Sequence, residues 1–238
     1  MIMDGKKIAL LYFSCKPTVE SRRKNWFSLG ANRRNEALAS SLILQTSQIV
    51  QQSGFPVFHY HEGNQTGRTF GERLANAYQE IFDQGYDAVI ATGNDTPEMA
   101  NIDWQTVATQ LSAGKCVLGP SLRGGTYLIG LTAAAFCKTA FQNLPWQSGR
   151  LFQLLRQYCA LAGMAPVVLE ALRDINTYHD LIKLVKSASI DRILRRVLHQ
   201  LVYGIPNVFT GYRTLILNRA LMINMPLRAP PATSISLK

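Results

Sequence analysis

The sequence predicts an α/β fold in which helices cover both faces of a mostly parallel sheet. Short apolar runs, typical of buried strands, alternate along the chain with segments of helical periodicity. Glycine, proline or polar clusters separate them. This alternation is typical of a three-layer α/β/α sandwich. With 238 residues, 47% hydrophobic and 17% charged, the chain is long and apolar enough for one large globular domain rather than a disordered segment.

The elements follow one another in a regular order. The predicted strands are 7–13, 55–60, 87–92, 116–118, 126–131 and 166–169. Helices are predicted from about Asn35 to Gly54, from Thr69, where Glu72 completes a capping box, and over 104–111, 147–162 and 189–203. Ser189 is expected to cap the last of these, and a further helix is predicted over 211–223. Residues 227–238, rich in proline and serine, are expected to be frayed.

Charge and cysteine content exclude several classes of protein. The net charge is +10, divided into +6 over residues 1–34, −4 over 35–182 and +8 over 183–238. A basic charge at both ends of a mildly acidic centre favours a local anion site and a basic tail over a specific nucleic-acid interface. Four scattered cysteines without a Cys-x-x-Cys pair favour a reducing, cytoplasmic setting. The sequence has no apolar run long enough for a membrane span and no signal peptide.

The segment 93–99 follows a buried strand and is the centre of the predicted site. In parallel sheets, ligands bind beyond the carboxyl ends of strands, where the loops 14–34, 93–99 and 119–125 fall. Asp95 there suits a hard divalent cation, with Glu98 as a second oxygen ligand. The alternative is an ordinary turn, because Asn94, Asp95 and Pro97 favour turns.

Three other segments have both a functional and a structural interpretation. Basic residues crowd the loop after the first strand and can clasp a diphosphate, or can form a solvated charge run: Lys16, Arg22, Arg23 and Lys24. The loop 119–125 contains Gly124 and Gly125 and can approach a ligand closely, or can be a hairpin turn. The basic helix 189–203 can pack on the domain, on a second subunit, or, less favourably, on an anionic membrane.

Several blocks of residues, in a fixed order, resemble a bacterial family. The blocks are 71–77, 85–87, 93–99, 119–120, 124–131, 144–146 and 172–177. They are similar to the glycosyltransferases called selenodomain-associated transferases, of the GT-A-like nucleotide-diphospho-sugar transferase superfamily, over about residues 5–185. The resemblance implies a GT-A-like sandwich, a donor nucleotide clasped by the first loop, and Mg²⁺ or Mn²⁺ on Asp95, with Asp174 as a further ligand.

The sequence departs from the family pattern at sites that bear on the metal. Asn25 and Trp26 stand where the family has Thr and Arg, Arg123 stands where it has Asp, and Asn176 stands where it has a second Asp. Two carboxylates are thereby lost, and Arg123 adds a cation that can pair with phosphate or with Asp95. Three possibilities remain: a transferase with a one-carboxylate metal site, a metal-independent transferase in which Arg123 neutralises the leaving diphosphate, and a non-catalytic descendant.

The combined prediction is a cytoplasmic GT-A-like domain over 1–186 with a basic helical extension over 187–238. Its ligand would be a nucleotide or nucleotide-sugar, and its activity glycosyl or nucleotidyl transfer, with Asp95 and Arg123 as catalytic residues. The alternative is a nucleotide-binding or protein-interaction module without catalysis. The C-terminal helices would then offer a contact surface, and in either case they are candidates for a homodimer interface.

Overall fold

Residues 2–3, 5–28 and 31–204 are described by a computed structural model of the chain. The strands are β1 (Ile2–Met3), β2 (Lys6–Phe13), β3 (Val57–Tyr60), β4 (Ala88–Thr92), β5 (Val117–Pro120), β6 (Thr126–Thr132) and β7 (Val167–Val168). The helices are α1 (Pro17–Lys24), α2 (Asn32–Gln52), α3 (Phe70–Asp83), α4 (Trp104–Ser112), α5 (Lys138–Gln142), α6 (Leu151–Leu161), α7 (Tyr178–Lys186) and α8 (Arg192–Tyr203). Two 3₁₀ turns lie at Pro97–Asn101 and Ala133–Ala135.

The strands form one mixed sheet in the order β1-β2-β4-β6-β5-β7, and β3 also pairs with β2. β2 pairs in parallel with β3 and β4, and β5 pairs in parallel with β7. β6 lies between β4 and β5 and is antiparallel to both. Five of these seven strands therefore run in one direction, which confirms the mostly parallel mixed sheet. β5 and β6 follow each other without a helix, as the predicted strands on either side of the loop 119–125 imply, and they form a hairpin.

Alternation of side chains along β2 divides the core into two layers, as expected for a strand that is buried on both faces. Ala9 and Leu11 belong to the apolar cluster that α3, α5 and α6 cover. Ile8 and Leu10 belong to the cluster that α2 and α4 cover. The helices thus lie on both faces of the sheet, and the predicted α/β/α sandwich is confirmed.

Helix α3 begins where the local sequence predicted. The Thr69 hydroxyl accepts a hydrogen bond from the backbone N–H of Glu72, and the Glu72 carboxylate accepts one from the backbone N–H of Thr69. This capping box satisfies two of the N–H groups that the first turn of a helix leaves without partners. The first turns of α3 then form part of the wall of a cavity at the edge of the sheet.

Gly71, in the first turn of α3, is a point of close approach between elements. A methyl group there would lie 2.1 Å from the carbonyl oxygen of Gln142 and 2.5 Å from the Trp146 ring. We expect Gly71→Ala to lower the free energy of unfolding by about 1–2 kcal/mol, because the backbone of α5 must shift. Gly93→Ala, whose methyl group would meet only Asp95 at 3.6 Å, is the control in chemical denaturation. Equal stability of the two variants would contradict the close packing.

The apolar face of α8 packs within the chain. Leu194, Leu198 and Leu201 share an apolar cluster with residues of α2 and α7. Asp191, not Ser189, is the N-cap residue, because the Ser189 hydroxyl donates to Glu98 at 2.6 Å. The predicted helix 211–223 and the tail 227–238 lie outside the described residues, and a homodimer through the C-terminal helices stays a prediction. Among the described helices, none is both long and apolar enough to cross a bilayer.

Other differences from the predicted elements concern the presence and the bounds of helices. The segment predicted as a loop after the first strand contains α1, which begins at Pro17, a residue preorganised for the first helical turn. α2 begins at Asn32 rather than near Asn35, and the predicted helix 147–162 is limited to Leu151–Leu161. The sequence analysis did not identify α5 and α7. α5 spans only five residues, too few for apolar periodicity to be distinctive. α7 spans nine residues, as α4 does, and its capping box at Thr177 and Asp180 is the local signal that was missed.

Candidate functional site

A cavity of about 500 Å³ opens where β2, β4 and β5 end. The chain that follows each of these strands contributes to its wall, and so does the segment around Asp174 and Asn176. Charged side chains from these segments face it: Glu20, Arg23, Lys24, Asp95, Arg123 and Asp174. The structure therefore brings together parts of all three loops that the sequence analysis placed at this edge of the sheet.

Lys24 is a largely buried cation at the base of this cavity. It occupies the last turn of α1, where a positive charge interacts favourably with the helix dipole. Its ammonium nitrogen lies 2.7 Å from Asp95 Oδ2 and 3.5 Å from Glu20 Oε1. The side chains of Lys24 and Glu20 are 15% and 6% exposed, and that of Asp95 is 32% exposed.

Both partners of the Lys24–Asp95 pair are held in their charged forms. Burial lowers the pKa of Lys24, but the negative charges of Asp95 and Glu20 outweigh burial and raise that pKa above its usual value. Burial raises the pKa of Asp95, but the nearby Lys24 ammonium outweighs burial, and the pKa of Asp95 is lowered. A charged, largely buried lysine at the end of the strands is a site that can hold an anion.

Backbone hydrogen bonds fix the position of Lys24 and Asp95. The backbone N–H of Ile175 donates to the carbonyl oxygen of Asp95 at 2.8 Å. The carbonyl oxygen of Ile175 accepts from the Trp26 indole N–H at 2.8 Å and from the Lys24 ammonium at 3.4 Å. Trp26 is buried, so it locks the end of α1 onto this segment. That explains what Trp26 does at a position where the resemblance implied an arginine.

Asp174 is a second carboxylate in the cavity, and its environment differs from that of Asp95. Thr96 donates a hydrogen bond to Asp174 Oδ1 at 2.9 Å. Burial, and then the negative charge of Asp95, raise the pKa of Asp174 to about 6. The hydroxyls of Ser121 and Thr96 work in the opposite direction but do not outweigh these effects. Asp174 therefore exchanges a proton close to neutral pH.

The raised pKa of Asp174 makes stability depend on pH. An unfolded aspartate has a pKa of about 3.9, so between about pH 4 and 6 the folded chain binds more protons at this group. The contribution of Asp174 to the free energy of unfolding therefore falls as pH rises through that range. We expect Asp174→Asn to raise the free energy of unfolding by about 1–2 kcal/mol at pH 7 and to leave it nearly unchanged at pH 4. An equal change at both pH values in urea denaturation would contradict this.

Arg123 lies in the wall of the cavity and is already paired. One of its guanidinium nitrogens lies 2.7 Å from Asp180 Oδ1, so its partner is Asp180 rather than Asp95. Half of the Arg123 side chain is exposed, which leaves its other N–H groups accessible from the cavity. The hairpin turn interpretation of this loop is correct, since the backbone N–H of Ser121 donates to the carbonyl oxygen of Gly125. Gly125 lines the cavity, whereas Gly124 packs against Gly149 at φ +80°.

The remaining predicted site residues divide into those in the cavity and those outside it. Arg23 lines the cavity and donates to Cys15 Sγ at 3.3 Å. Lys16 and Arg22 are not among the lining residues. Glu98 also lies outside the lining. Its Oε1 accepts from Ser189 at 2.6 Å and from Ser187 at 3.2 Å, and its Oε2 accepts from the backbone N–H of Arg173. Glu98 thus joins the 3₁₀ turn to the segment that leads into α8.

The residues at the cavity do not fit a resident divalent ion held by the protein alone. Across residues 5–28 and 31–204, no group of three His, Cys, Asp or Glu side chains could hold a metal. Lys24 occupies the neighbourhood of Asp95 Oδ2, and Glu98 is engaged elsewhere. Mg²⁺ can also bind through one or two carboxylates together with substrate phosphates. The predicted Mg²⁺ or Mn²⁺ would therefore bind here only together with the phosphates of a ligand.

The sequence analysis missed the apolar wall of the cavity. Phe13, Phe70 and Trp146 line it, with ring centroids 5.6 Å apart between Phe13 and Phe70 and between Phe70 and Trp146. Gln65 and Arg73 lie beside them in the same wall. Apolar periodicity places Phe70 on the buried face of the helix predicted to begin at Thr69. Nothing in the local sequence marks Phe13 as a cavity residue. One wall of the cavity is thus apolar and aromatic, which suits a planar ring.

His59 and His61 alternate onto one face of the predicted second strand, a weak signal for a metal pair, and their ring centroids lie 5.5 Å apart. His59 stacks on Tyr12, and its Nε2 lies 2.8 Å from the Ser14 hydroxyl oxygen. Burial, and then His61, lower the pKa of His59 to about 4, so its imidazole is neutral at pH 7. Within the described part of the chain these rings fix the end of β3 against β2.

Comparison with known proteins confirms the fold. Residues 42–148 match the model of a family described as an uncharacterized protein conserved in bacteria (DUF2064). No curated protein matches the chain. A solved structure of a candidate nucleotide-diphospho-sugar transferase from Desulfovibrio desulfuricans G20 is 22% identical, with a TM-score of 0.71. The alignment covers 83% of this chain and 97% of that one. The chain therefore shares the fold of this nucleotide-sugar transferase-like structure.

More distant structures show weaker similarity. A protein from Mycobacterium tuberculosis H37Rv is 12% identical with a TM-score of 0.45, over 76% of this chain and 100% of that one. A cytidylyltransferase from Leptospira borgpetersenii is 13% identical with a TM-score of 0.38, over 90% of this chain and 98% of that one. These two similarities are too low to support an argument about the site.

Proposed function

We propose that the cavity binds the diphosphate group of a nucleotide-sugar and that the chain transfers its glycosyl group to an acceptor hydroxyl. The observation that carries the proposal is Lys24, a charged and largely buried lysine at the carboxyl ends of parallel strands. Arg23 and Arg123 add two more cations to the same cavity. A diphosphate offers the anionic oxygens that such cations bind through charge-assisted hydrogen bonds.

The shape of the cavity supports the same ligand. Its volume of about 500 Å³ lies within the range of small-molecule sites. The aromatic wall, formed by Phe13, Phe70 and Trp146, offers apolar faces for a nucleobase, and the charged wall offers cations for phosphates. The fold shared with a nucleotide-sugar transferase-like structure supports a ligand of this class.

The chemistry of the transfer follows from the charges that face the cavity. The acceptor oxygen forms a bond to the anomeric carbon while the bond from that carbon to the diphosphate oxygen breaks. Asp174, with a pKa of about 6, takes the proton of the acceptor hydroxyl. The diphosphate leaves with the bonding electrons, and Lys24 and Arg123 stabilise its negative charge. Asp95 keeps the Lys24 ammonium charged and in place.

Binding of nucleotides tests the proposal directly. We expect the full-length protein to bind at least one of UDP, GDP, ADP and dTDP or their glucose conjugates in isothermal titration, measured with and without Mn²⁺. Arg123→Ala is expected to weaken binding about tenfold, since a charged hydrogen bond is lost. Arg22→Ala, an exposed arginine outside the cavity, is the matched control. Absence of binding to all eight compounds, with and without Mn²⁺, would refute the proposal.

Two variants separate the roles of metal and arginine. Binding that requires Mn²⁺ and disappears in Asp95→Ala would indicate a metal carried in with the phosphates. Binding that does not depend on Mn²⁺ and that weakens in Arg123→Ala would indicate that the chain's own cations neutralise the phosphates. The Lys24–Asp95 ion pair favours this second outcome.

The second candidate function is binding without catalysis. It is favoured by one observation: Asp95, the residue expected to hold the metal, is paired with Lys24. Turnover distinguishes the two functions. Release of UDP or another diphosphate from the bound nucleotide-sugar in the presence of acceptor sugars supports transfer, whereas tight binding without release supports a binding module. Formation of pyrophosphate from a nucleoside triphosphate and a sugar phosphate would point to nucleotidyl transfer instead.

A further inference from the structure

Three buried polar groups in the wall of the cavity make no hydrogen bond within the described part of the chain: the amide nitrogen of Asn94 and the hydroxyls of Ser121 and Thr126. The Ser121 hydroxyl lies near Asp174, whose pKa it lowers. The Asn94 amide nitrogen and the Thr126 hydroxyl are left without a partner. Asn94 is only 6% exposed. Buried polar groups in folded proteins almost always have partners, and an unmet one costs free energy. The partner is therefore expected to come from a ligand.

The β4–β6 ladder brings these two groups to the same end of the sheet. Its last pair in the antiparallel register is Thr92 in β4 and Leu128 in β6. Asn94 lies two residues after Thr92, and Thr126 lies two residues before Leu128. Both residues line the same cavity at this end, so one ligand can contact both. Asn94 also immediately precedes Asp95, so the pair lies beside the Lys24–Asp95 ion pair.

The chemistry of the pair differs from that of the charged wall. An amide N–H donates, and a threonine hydroxyl both donates and accepts. Neither is charged, and the neighbouring carboxylates of Asp95 and Asp174 disfavour a second anion there. A hydroxyl group meets these requirements, because its oxygen can accept from Asn94 while its proton is donated to Thr126.

We infer that Asn94 and Thr126 form a subsite for a hydroxyl group on a sugar ring of the bound nucleotide-sugar. This inference rests on the proposed function, since the cations hold the diphosphate that carries the ring. The ring is either the ribose of the nucleotide or the glycosyl group to be transferred, and both present the same hydroxyl chemistry.

Two nearly isosteric substitutions, Asn94→Leu and Thr126→Val, test the subsite. Each removes the polar group and nearly keeps its volume. Because neither group has a partner in the free protein, we expect the melting temperature to stay the same or to rise. We expect the affinity for the bound nucleotide-sugar to fall about five- to tenfold in each variant. If the two side chains serve only packing, neither substitution will lower the affinity.

Thr132→Val is the matched control. Thr132 also has a buried hydroxyl, but that hydroxyl accepts from the backbone N–H of Ala135 and does not line the cavity. We expect this control to lower the melting temperature and to leave affinity unchanged. The opposite signs of the two effects separate a ligand-binding hydroxyl from a structural one.

The probes are UDP, GDP, ADP and dTDP, each with its glucose conjugate. Loss of affinity for the glucose conjugate alone assigns the subsite to the glycosyl group. Equal loss for UDP and UDP-glucose, with no loss for the deoxyribose compounds, assigns it to a ribose 2′-hydroxyl. If the wild-type protein binds these compounds and both variants bind them equally well, the inference is wrong and the proposed function stands. If the wild-type protein binds none of them, the proposed function fails and the inference fails with it.

Discussion

Lys24→Met is expected to abolish nucleotide-sugar binding at practical concentrations and to lower the free energy of unfolding by about 2–3 kcal/mol. The substitution keeps the length of the side chain but leaves Glu20 and Asp95 without their shared cation. Removing one partner of a buried ion pair costs about 3–5 kcal/mol, and the partial exposure of Asp95 reduces this. Loss of the charged contact to phosphate is expected to weaken binding about 100-fold. Titration calorimetry and urea denaturation measure the two effects.

A double-mutant cycle separates the ion pair from general disruption. Lys24→Met combined with Asp95→Asn removes both charges of the 2.7 Å contact, so we expect the double variant to be at least about 1 kcal/mol more stable than the sum of the single effects. Arg22→Met, two positions away and exposed, is expected to change neither property. Strict additivity in the cycle would show that Lys24 and Asp95 do not depend on each other.

Asp180→Ala is expected to lower the free energy of unfolding by about 3 kcal/mol. Asp180 is almost fully buried, and its Oδ2 accepts from the backbone N–H groups of Asn176 and Thr177 and from the Thr177 hydroxyl. Its Oδ1 accepts from Arg123. The substitution therefore removes the capping box of α7 and the partner of a cavity arginine together.

Asp191→Ala is the matched control for this prediction. Asp191 caps α8 by accepting from the backbone N–H groups of Ile193 and Leu194, but it is exposed and has no arginine partner among the described residues. Its removal is expected to cost about 1 kcal/mol in thermal or urea denaturation. If Asp180→Ala is no more destabilising than Asp191→Ala, the contact with Arg123 contributes nothing to stability.

Local patterns were sufficient to predict most of the fold. The capping box at Thr69 and Glu72 needs only neighbours three residues apart, and the buried strands need only a run of apolar residues. The order of the strands follows less directly. The hairpin explains why β6 pairs with β5, but no local pattern encodes the pairing of β6 with β4. Short elements such as α5 carry too little periodicity to be recognised.

The candidate site was predicted in position more than in detail. Asp95, Arg123 and Lys24 lie in one cavity, as their places at strand ends indicated. Their partners could not be deduced from spacing, because Lys24 meets Asp95 across 71 residues and Arg123 meets Asp180 across 57. Glu98 was assigned to a metal because it follows Asp95 closely, but the serines that bind it, Ser187 and Ser189, come from far along the chain.

The hydrogen bonds of Ile175 bear on the order in which parts of the protein fold. The contact between Lys24 and the Ile175 carbonyl joins residues 151 positions apart, so the end of α1 that carries Lys24 is held by one of the last segments of the sandwich to be synthesised. A nascent chain that has all of β2 and β4 but has not reached residue 175 still lacks this anchor. Distant contacts also carry the largest loop-closure entropy and form late in refolding. Recovery of ligand binding should therefore lag behind recovery of helical signal when the denatured chain refolds.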